Sequence, residues 1–193
     1  MTLSALMAIA GRASAQVLPD YSAFPQSSLS LGVGTQGLDV QGNYSFARMF
    51  NARIGYNSMP FSFEYNGRQA VFNRNSVFAI ADWQPEYGGG SWFERKWFIS
   101  AGIAYYLDNS VYRQGIGSLP DYTIYMAKLR PYFGTGLGNI PLSHTLSLHF
   151  DLGYFIPLQA PTSTYDDKAD KVRDGLRALL PGLNAGAGIS IKL

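Results

Sequence analysis

From Leu183 to Leu193, apolar residues (Leu183, Ala185, Ala187, Ile189, Ile191, Leu193) alternate without a break with small or polar ones (Asn184, Gly186, Gly188, Ser190, Lys192). A period of two puts one series on each face of a β-strand, and a chain ending on such a strand suits a membrane barrel closing on itself. The same period predicts eight strands, over about 27–35, 37–46, 50–62, 70–85, 95–108, 122–138, 144–158 and 182–193. The connections then alternate between two ends. Phe46–Phe50, Pro85–Trp92 and Gly138–Ser143 fall at the inner end; Tyr65–Arg68, Asn109–Asp121 and the long Gln159–Pro181 fall at the outer end. The Gly34–Gly37 connection is very tight, which leaves one bent strand as the alternative to strands one and two. Outer loops that extend the sheet would instead raise the count to ten.

Individual strands sort their residues by face. Lys128, Arg130, Tyr132, Gly134 and Gly136 share one side, opposite Ala127, Leu129, Pro131, Phe133 and Leu137. On the next strand Ser147, His149, Asp151 and Gly153 point in while Leu146, Leu148, Phe150, Leu152, Tyr154 and Ile156 point out. Asp39, Gln41, Asn43, Arg53, Arg74 and Asp82 face inward on the same logic. An eight-stranded barrel leaves an interior only wide enough for side chains, and charges held away from water need partners. The expectation is a packed ionic lumen of Asp39, Asp82 and Asp151 against Arg53, Arg74, Lys128, Arg130 and Lys192.

Aromatic residues fall where membrane interfaces would want them. Trp83, Trp92, Phe93 and Trp97 surround one inner turn, with Tyr105 and Tyr106 at the far end of the fifth strand. The eight residues from Trp97 to Tyr105 span roughly 26 Å of strand, or about 20 Å of height after a tilt of about 40°. Composition agrees: the 193 residues are 47% hydrophobic and 15% aromatic, yet no apolar run reaches the roughly 18 residues of a spanning helix. There is no cysteine, hence neither a disulfide framework nor a cysteine-linked lipid anchor.

Leu3–Ala10 is a short apolar run followed by Ala13-Ser-Ala15, read as a secretory signal over 1–15 that lacks a basic leading region. A periplasmic segment over 16–26 and the barrel over 27–193 complete the division. Removing 1–15 leaves 14 basic against 13 acidic side chains, which gives no electrostatic case for nucleic acid. In the last outer connection, Asp166–Leu180 starts acidic and carries Ala169, Val172, Leu176 and Leu179 on one face before Pro181-Gly182. This predicts a short amphipathic helix on the barrel rim.

Ser147, His149 and Asp151, spaced by two on one face, are the nearest approach to a catalytic set, since neighbours on a strand face are about 6.6 Å apart. They point inward, where a lipid hydrolase would need its nucleophile facing lipid. A hydrogen-bonding role inside the lumen is therefore expected, and no enzyme activity. His144 lies on the opposite face from His149, which disfavours a shared metal site. Gly134-Thr-Gly-Leu-Gly138 has the glycines of a phosphate loop without the helix that must follow. No cofactor is expected.

Leu31–Val40, Ala81-Asp-Trp-Gln-Pro85, Phe98–Tyr106, Arg130–Asn139 and Phe150-Asp-Leu-Gly153 resemble, in order and spacing, the blocks of a family of small, uncharacterised Gram-negative outer-membrane barrel proteins of OmpA/OmpX-like architecture. The resemblance covers nearly all of 16–193. It implies an outer-membrane address, insertion by the barrel assembly machinery and contact with membrane lipids and lipopolysaccharide, without an activity. Leu137 replaces the tryptophan common in its block, and Leu193 the usual terminal aromatic. The expected object is a monomeric, all-β, eight-stranded antiparallel up-and-down barrel with a plugged charged lumen and a structural or surface-interaction role. A narrow small-solute channel and a lipid-modifying enzyme are the alternatives.

Overall fold

The computed structural model describes residues 22–65, 67–86, 89–165 and 180–193. Among these residues, ten strands form one antiparallel sheet: β1 (Ser27–Gly34), β2 (Gly37–Ala47), β3 (Phe50–Tyr65), β4 (Arg68–Trp83), β5 (Trp97–Arg113), β6 (Tyr122–Tyr125), β7 (Leu129–Pro141), β8 (Leu146–Phe155), β9 (Thr162–Ser163) and β10 (Leu183–Lys192). Eight of them close the barrel in the order β1-β2-β3-β4-β5-β7-β8-β10. β10 returns to β1 through pairs from Ser28↔Lys192 to Gly34↔Gly186. Closure leaves no sheet edge along the barrel wall.

The alternation seen in the sequence is the alternation of the wall. On β1, Ser28 and Ser30 are buried while Leu29, Leu31 and Val33 are 48–60% exposed on the outside. Leu38, Val40, Ile54, Val77, Ile103, Phe133, Leu152 and Ile189 continue this outward apolar surface. Inside, polar groups share the space with an apolar slab of Phe78, Ile80, Ala104, Tyr106, Tyr132 and Phe155. Gly134 and Gly153 make room for the slab, because a Cβ at either would meet the Tyr132 hydroxyl at 2.3 or 2.4 Å.

β1 and β2 are two strands rather than one bent strand. Gly34 pairs with Gly37 across a two-residue turn, and Gly37 holds φ +100°. A Cβ there would lie 2.2 Å from the Ser58 carbonyl oxygen. Gly37→Ala therefore meets both left-handed strain and a backbone collision, and is expected to lower stability by about 1–3 kcal/mol in urea titrations of the refolded barrel. An unchanged unfolding midpoint would contradict that reading of the turn.

The predicted strand over 122–138 is broken. Leu107 is an extra residue in β5, opposite the register shift between Asn75 and Ser76, and from Ser110 onward β5 pairs with β6 instead of β7. Residues 126–128 bridge the two: Met126 N donates to Asn109 O, Asn109 Nδ2 to Ala127 O, and Tyr106 N to Lys128 O. β6 and β9 thus extend the sheet above the barrel without adding to its wall. The helix predicted over Asp166–Leu180 falls almost wholly outside the described residues. What is seen is a 3₁₀ turn at Leu180–Gly182.

Candidate functional site

The interior of the barrel is built in three layers, each fastened by residues from several strands. In the middle, Arg53 of β3 extends inward to Asp82 of β4 and Asp151 of β8. Its Nε lies 2.8 Å from Asp82 Oδ2, Nη2 donates to Asp82 Oδ1 at 2.9 Å, and Nη1 donates to Asp151 Oδ1 at 2.8 Å. Ser100 Oγ and Asn51 Nδ2 add donors to Asp82 at 2.7 and 2.9 Å, and the guanidinium sits 5.5 Å from the centre of the Phe98 ring. Strands place these groups by face, and pairing sets their height: Asn51 opposes Asp82, and Asp82 opposes Ser100.

His149 links this cluster to a hydroxyl ladder. Its Nδ1 is 3.1 Å from Ser190 Oγ, which is 2.8 Å from Ser30 Oγ, which in turn accepts from Asn43 Nδ2 at 2.7 Å. His149 Nε2 lies 3.4 Å from Gln41 Nε2 and 3.9 Å from Asp151 Oδ2. Ser147 is buried on the same strand, and its hydroxyl has no hydrogen-bond partner among the described residues. Ser147 makes no hydrogen bond to His149, whose hydroxyl partner is Ser190, so the three residues spaced by two form no relay. Asp39 faces inward on β2, where Gly32 leaves room for its carboxylate, but it makes no ion pair among the described residues.

The outer layer holds Arg74 and Arg130. Both guanidiniums donate to the Pro181 carbonyl oxygen, at 2.7 and 3.0 Å, and both lie over the Tyr106 ring, 5.2 and 5.3 Å from its centre. The Tyr106 hydroxyl donates to Gln36 Oε1 at 2.9 Å, and Gln36 Nε2 to the Leu183 carbonyl oxygen at 2.6 Å. Among the described residues neither arginine meets a carboxylate. Lys128 is not in the lumen at all: the break before β7 leaves it exposed in the bend. Lys192, at the inner end of β10, is half-buried and makes no ion pair among the described residues. Face parity predicts which side a residue takes and not its height, so the eight expected charges separate into a central group, an outer pair and residues outside both.

The inner layer is the chain's own N-terminal segment. Ser22, Ala23 and Phe24 are at most 3% exposed, tucked into the inner mouth. Ala23 N donates to Gln84 Oε1 at 3.0 Å, Lys96 Nζ and Asn139 Nδ2 donate to Ser22 O at 3.1 and 3.0 Å, and Ser45 Oγ donates to Pro25 O at 2.8 Å. Phe24 packs on Phe98 with ring centres 5.4 Å apart. Sequence reasoning missed this strap together with Gln84, Lys96 and Asn139. The available signal was Phe24-Pro25, an apolar pair set against the first strand. Asn139, at φ 48°, is the only described non-glycine residue in the left-handed region.

Small cavities of about 40 and 30 Å³ lie within the lumen among the described residues. Gln41, Arg53 and His149 line both and stand between them. Trp83, Trp92 and Tyr105 are 43–50% exposed on the outside; Trp97 is half-buried there and donates its indole N–H to Thr135 Oγ1 at 2.6 Å.

The barrel has close structural counterparts in crystal structures of Acinetobacter baumannii CarO and CarO2. Over 88% of this chain the TM-scores are 0.60 and 0.58, covering 98% and 100% of those chains at 16% identity. The likeness is one of fold. No protein-family model matches the chain, and no curated protein matches it in sequence. The described residues hold no group of three His, Cys, Asp or Glu side chains arranged for a metal ion.

Proposed function

We propose that this protein is an outer-membrane barrel whose lumen is closed to solutes, and that its role is structural or one of surface interaction. The outward apolar wall with its flanking tryptophans supports the membrane placement, as does the likeness to the CarO barrels. The observation that carries the closed lumen is the Arg53–Asp82–Asp151 cluster with Gln41 and His149, a partition between two cavities of about 40 and 30 Å³, each with room for about two or three waters. The Ser22–Pro25 strap lies below it and the Arg74–Arg130–Pro181 clamp above. An ion would have to displace all three. Ser147 has no hydrogen-bond partner among the described residues, and Ser190, the hydroxyl that His149 does reach, is 6% exposed inside the lumen and bonded to Ser30, away from any lipid surface; this supports a role without catalysis.

Planar-bilayer recordings of the full chain are expected to show no steady openings. Discrete, reproducible conductance from the unmodified protein, abolished by Arg130→Ala or Asp82→Ala, would establish a channel and sink the closed-lumen reading.

A further inference from the structure

Above the apolar band, β3, β4 and β5 extend together with β6, and the outward face of this upper sheet differs in chemistry from the wall below. Glu64 pairs directly with Gln69, and Gln114 N donates to Gln69 O at 2.9 Å one step beyond the Ala70↔Arg113 pair. Directly paired residues share a face, so Glu64, Gln69 and Gln114 form one row across three strands. The row beneath runs Ser62↔Val71↔Tyr112↔Thr123. Ser62, Glu64, Gln69 and Gln114 are exposed, and with Phe63 and Gly67 they border a hollow of about 370 Å³. That volume falls within the ~300–1,000 Å³ of small-molecule sites.

From these rows we infer that the outward face of the upper sheet is a binding site for neutral saccharide, and specifically for sugars of the lipopolysaccharide leaflet around the barrel. Three features carry this. The first is chemistry: two amides, a carboxylate and a hydroxyl present donors and acceptors to vicinal hydroxyls, with the Tyr112 ring beside them. The second is charge. The two rows contain one acid and no base, whereas Arg68 and Arg113 belong to the opposite face, where Arg68 lies 5.8 Å over the Tyr122 ring. A site for the phosphates of lipid A would need the reverse. The third is height: Gln114 is 17 residues beyond Trp97, roughly 40 Å up a tilted strand, against an apolar band of about 25 Å. The row therefore stands in the sugar layer and faces away from the barrel axis toward the surrounding leaflet. This site rests on the outer-membrane reading above and supplies its surface-interaction role.

The test is saturation-transfer NMR on the full chain refolded in detergent, with dephosphorylated lipopolysaccharide core oligosaccharide as the probe. Phosphorylated core oligosaccharide and inorganic phosphate form parallel arms, and gel mobility of unheated against boiled samples reports the closed barrel. Saturable transfer from the dephosphorylated probe at millimolar concentration is expected, weakened about tenfold or more in Gln69→Ala/Gln114→Ala. Inorganic phosphate should not compete. Glu64→Gln, a smaller change, provides a second variant and should alter the transfer pattern without altering the gel shift. Binding of the phosphorylated probe alone, competition by phosphate, or an unaffected double variant would each overturn the site. No transfer from a heat-shifting barrel would overturn it while leaving the barrel reading intact, and loss of the heat shift itself in the unmodified protein would overturn both.

Discussion

Arg53→Ala is expected to cost about 3–5 kcal/mol of stability, the scale on which removing one partner of a buried ion cluster leaves the others uncompensated. Arg53 is the only described cation within ion-pair reach of Asp82 and Asp151, both of which it holds at 2.8 Å. Without it Asp82, 1% exposed, keeps Asn51 and Ser100 as donors but no positive charge. Asp151 keeps only His149 at 3.9 Å. Protein interiors tolerate neutral polar groups far better than unpaired carboxylates, so Arg53→Ala with Asp82→Asn and Asp151→Asn should recover much of the loss. The measurement is the urea midpoint of the refolded barrel, followed by gel mobility and tryptophan emission. If Arg53→Ala left the midpoint unchanged, the central cluster would be solvated and the closed-lumen argument would lose its support.

How far the sequence discloses this molecule follows from what a period of two encodes. Closure, strand number and the outward apolar wall are legible because every strand of a small barrel has one face in and one face out, and Leu29, Leu31 and Val33 against Ser28 and Ser30 say so locally. Partnership is not encoded that way. Asp39 and Asp82 share the inward parity, yet only Asp82 reaches Arg53, because height in the barrel depends on the stagger between strands. Lys128 has the parity of Arg130 but lies beyond the break caused by the extra residue Leu107, which no local pattern announces. The apolar slab around Tyr106 and Tyr132 interrupts an interior that parity and composition predict as charged. The inner strap is harder still to read, since Ser22 meets Gln84, Lys96 and Asn139 across 62 to 117 residues of chain.

That strap provides the second large effect. Gly138 lies under it, and a Cβ there would come within 2.3 Å of the Ala23 carbonyl oxygen, a backbone atom that cannot rotate away. Gly138→Val is expected to expel Ser22–Pro25 from the inner mouth. Phe24 and Phe98 would then be exposed, at a cost of about 1.5–3 kcal/mol for each large apolar side chain brought into water. Because the natural chain has no cysteine, Ser22→Cys supplies a unique reporter at a position with no exposed surface. In the otherwise unmodified barrel a bulky maleimide should label it slowly, at the rate of rare local opening; with Gly138→Val added, labelling should become as fast as at an exposed thiol. Asn139→Ala, which removes one donor to Ser22 O, should fall between the two. Conductance separates the strap from the layer above it. If the Arg53 cluster is an independent seal, the strap-expelled barrel stays silent in a bilayer even though the reporter thiol labels freely, and openings appear only when Arg53 and the Arg74–Arg130 clamp are removed as well. Openings from Gly138→Val alone would make the strap the sole barrier and the charged centre a lining.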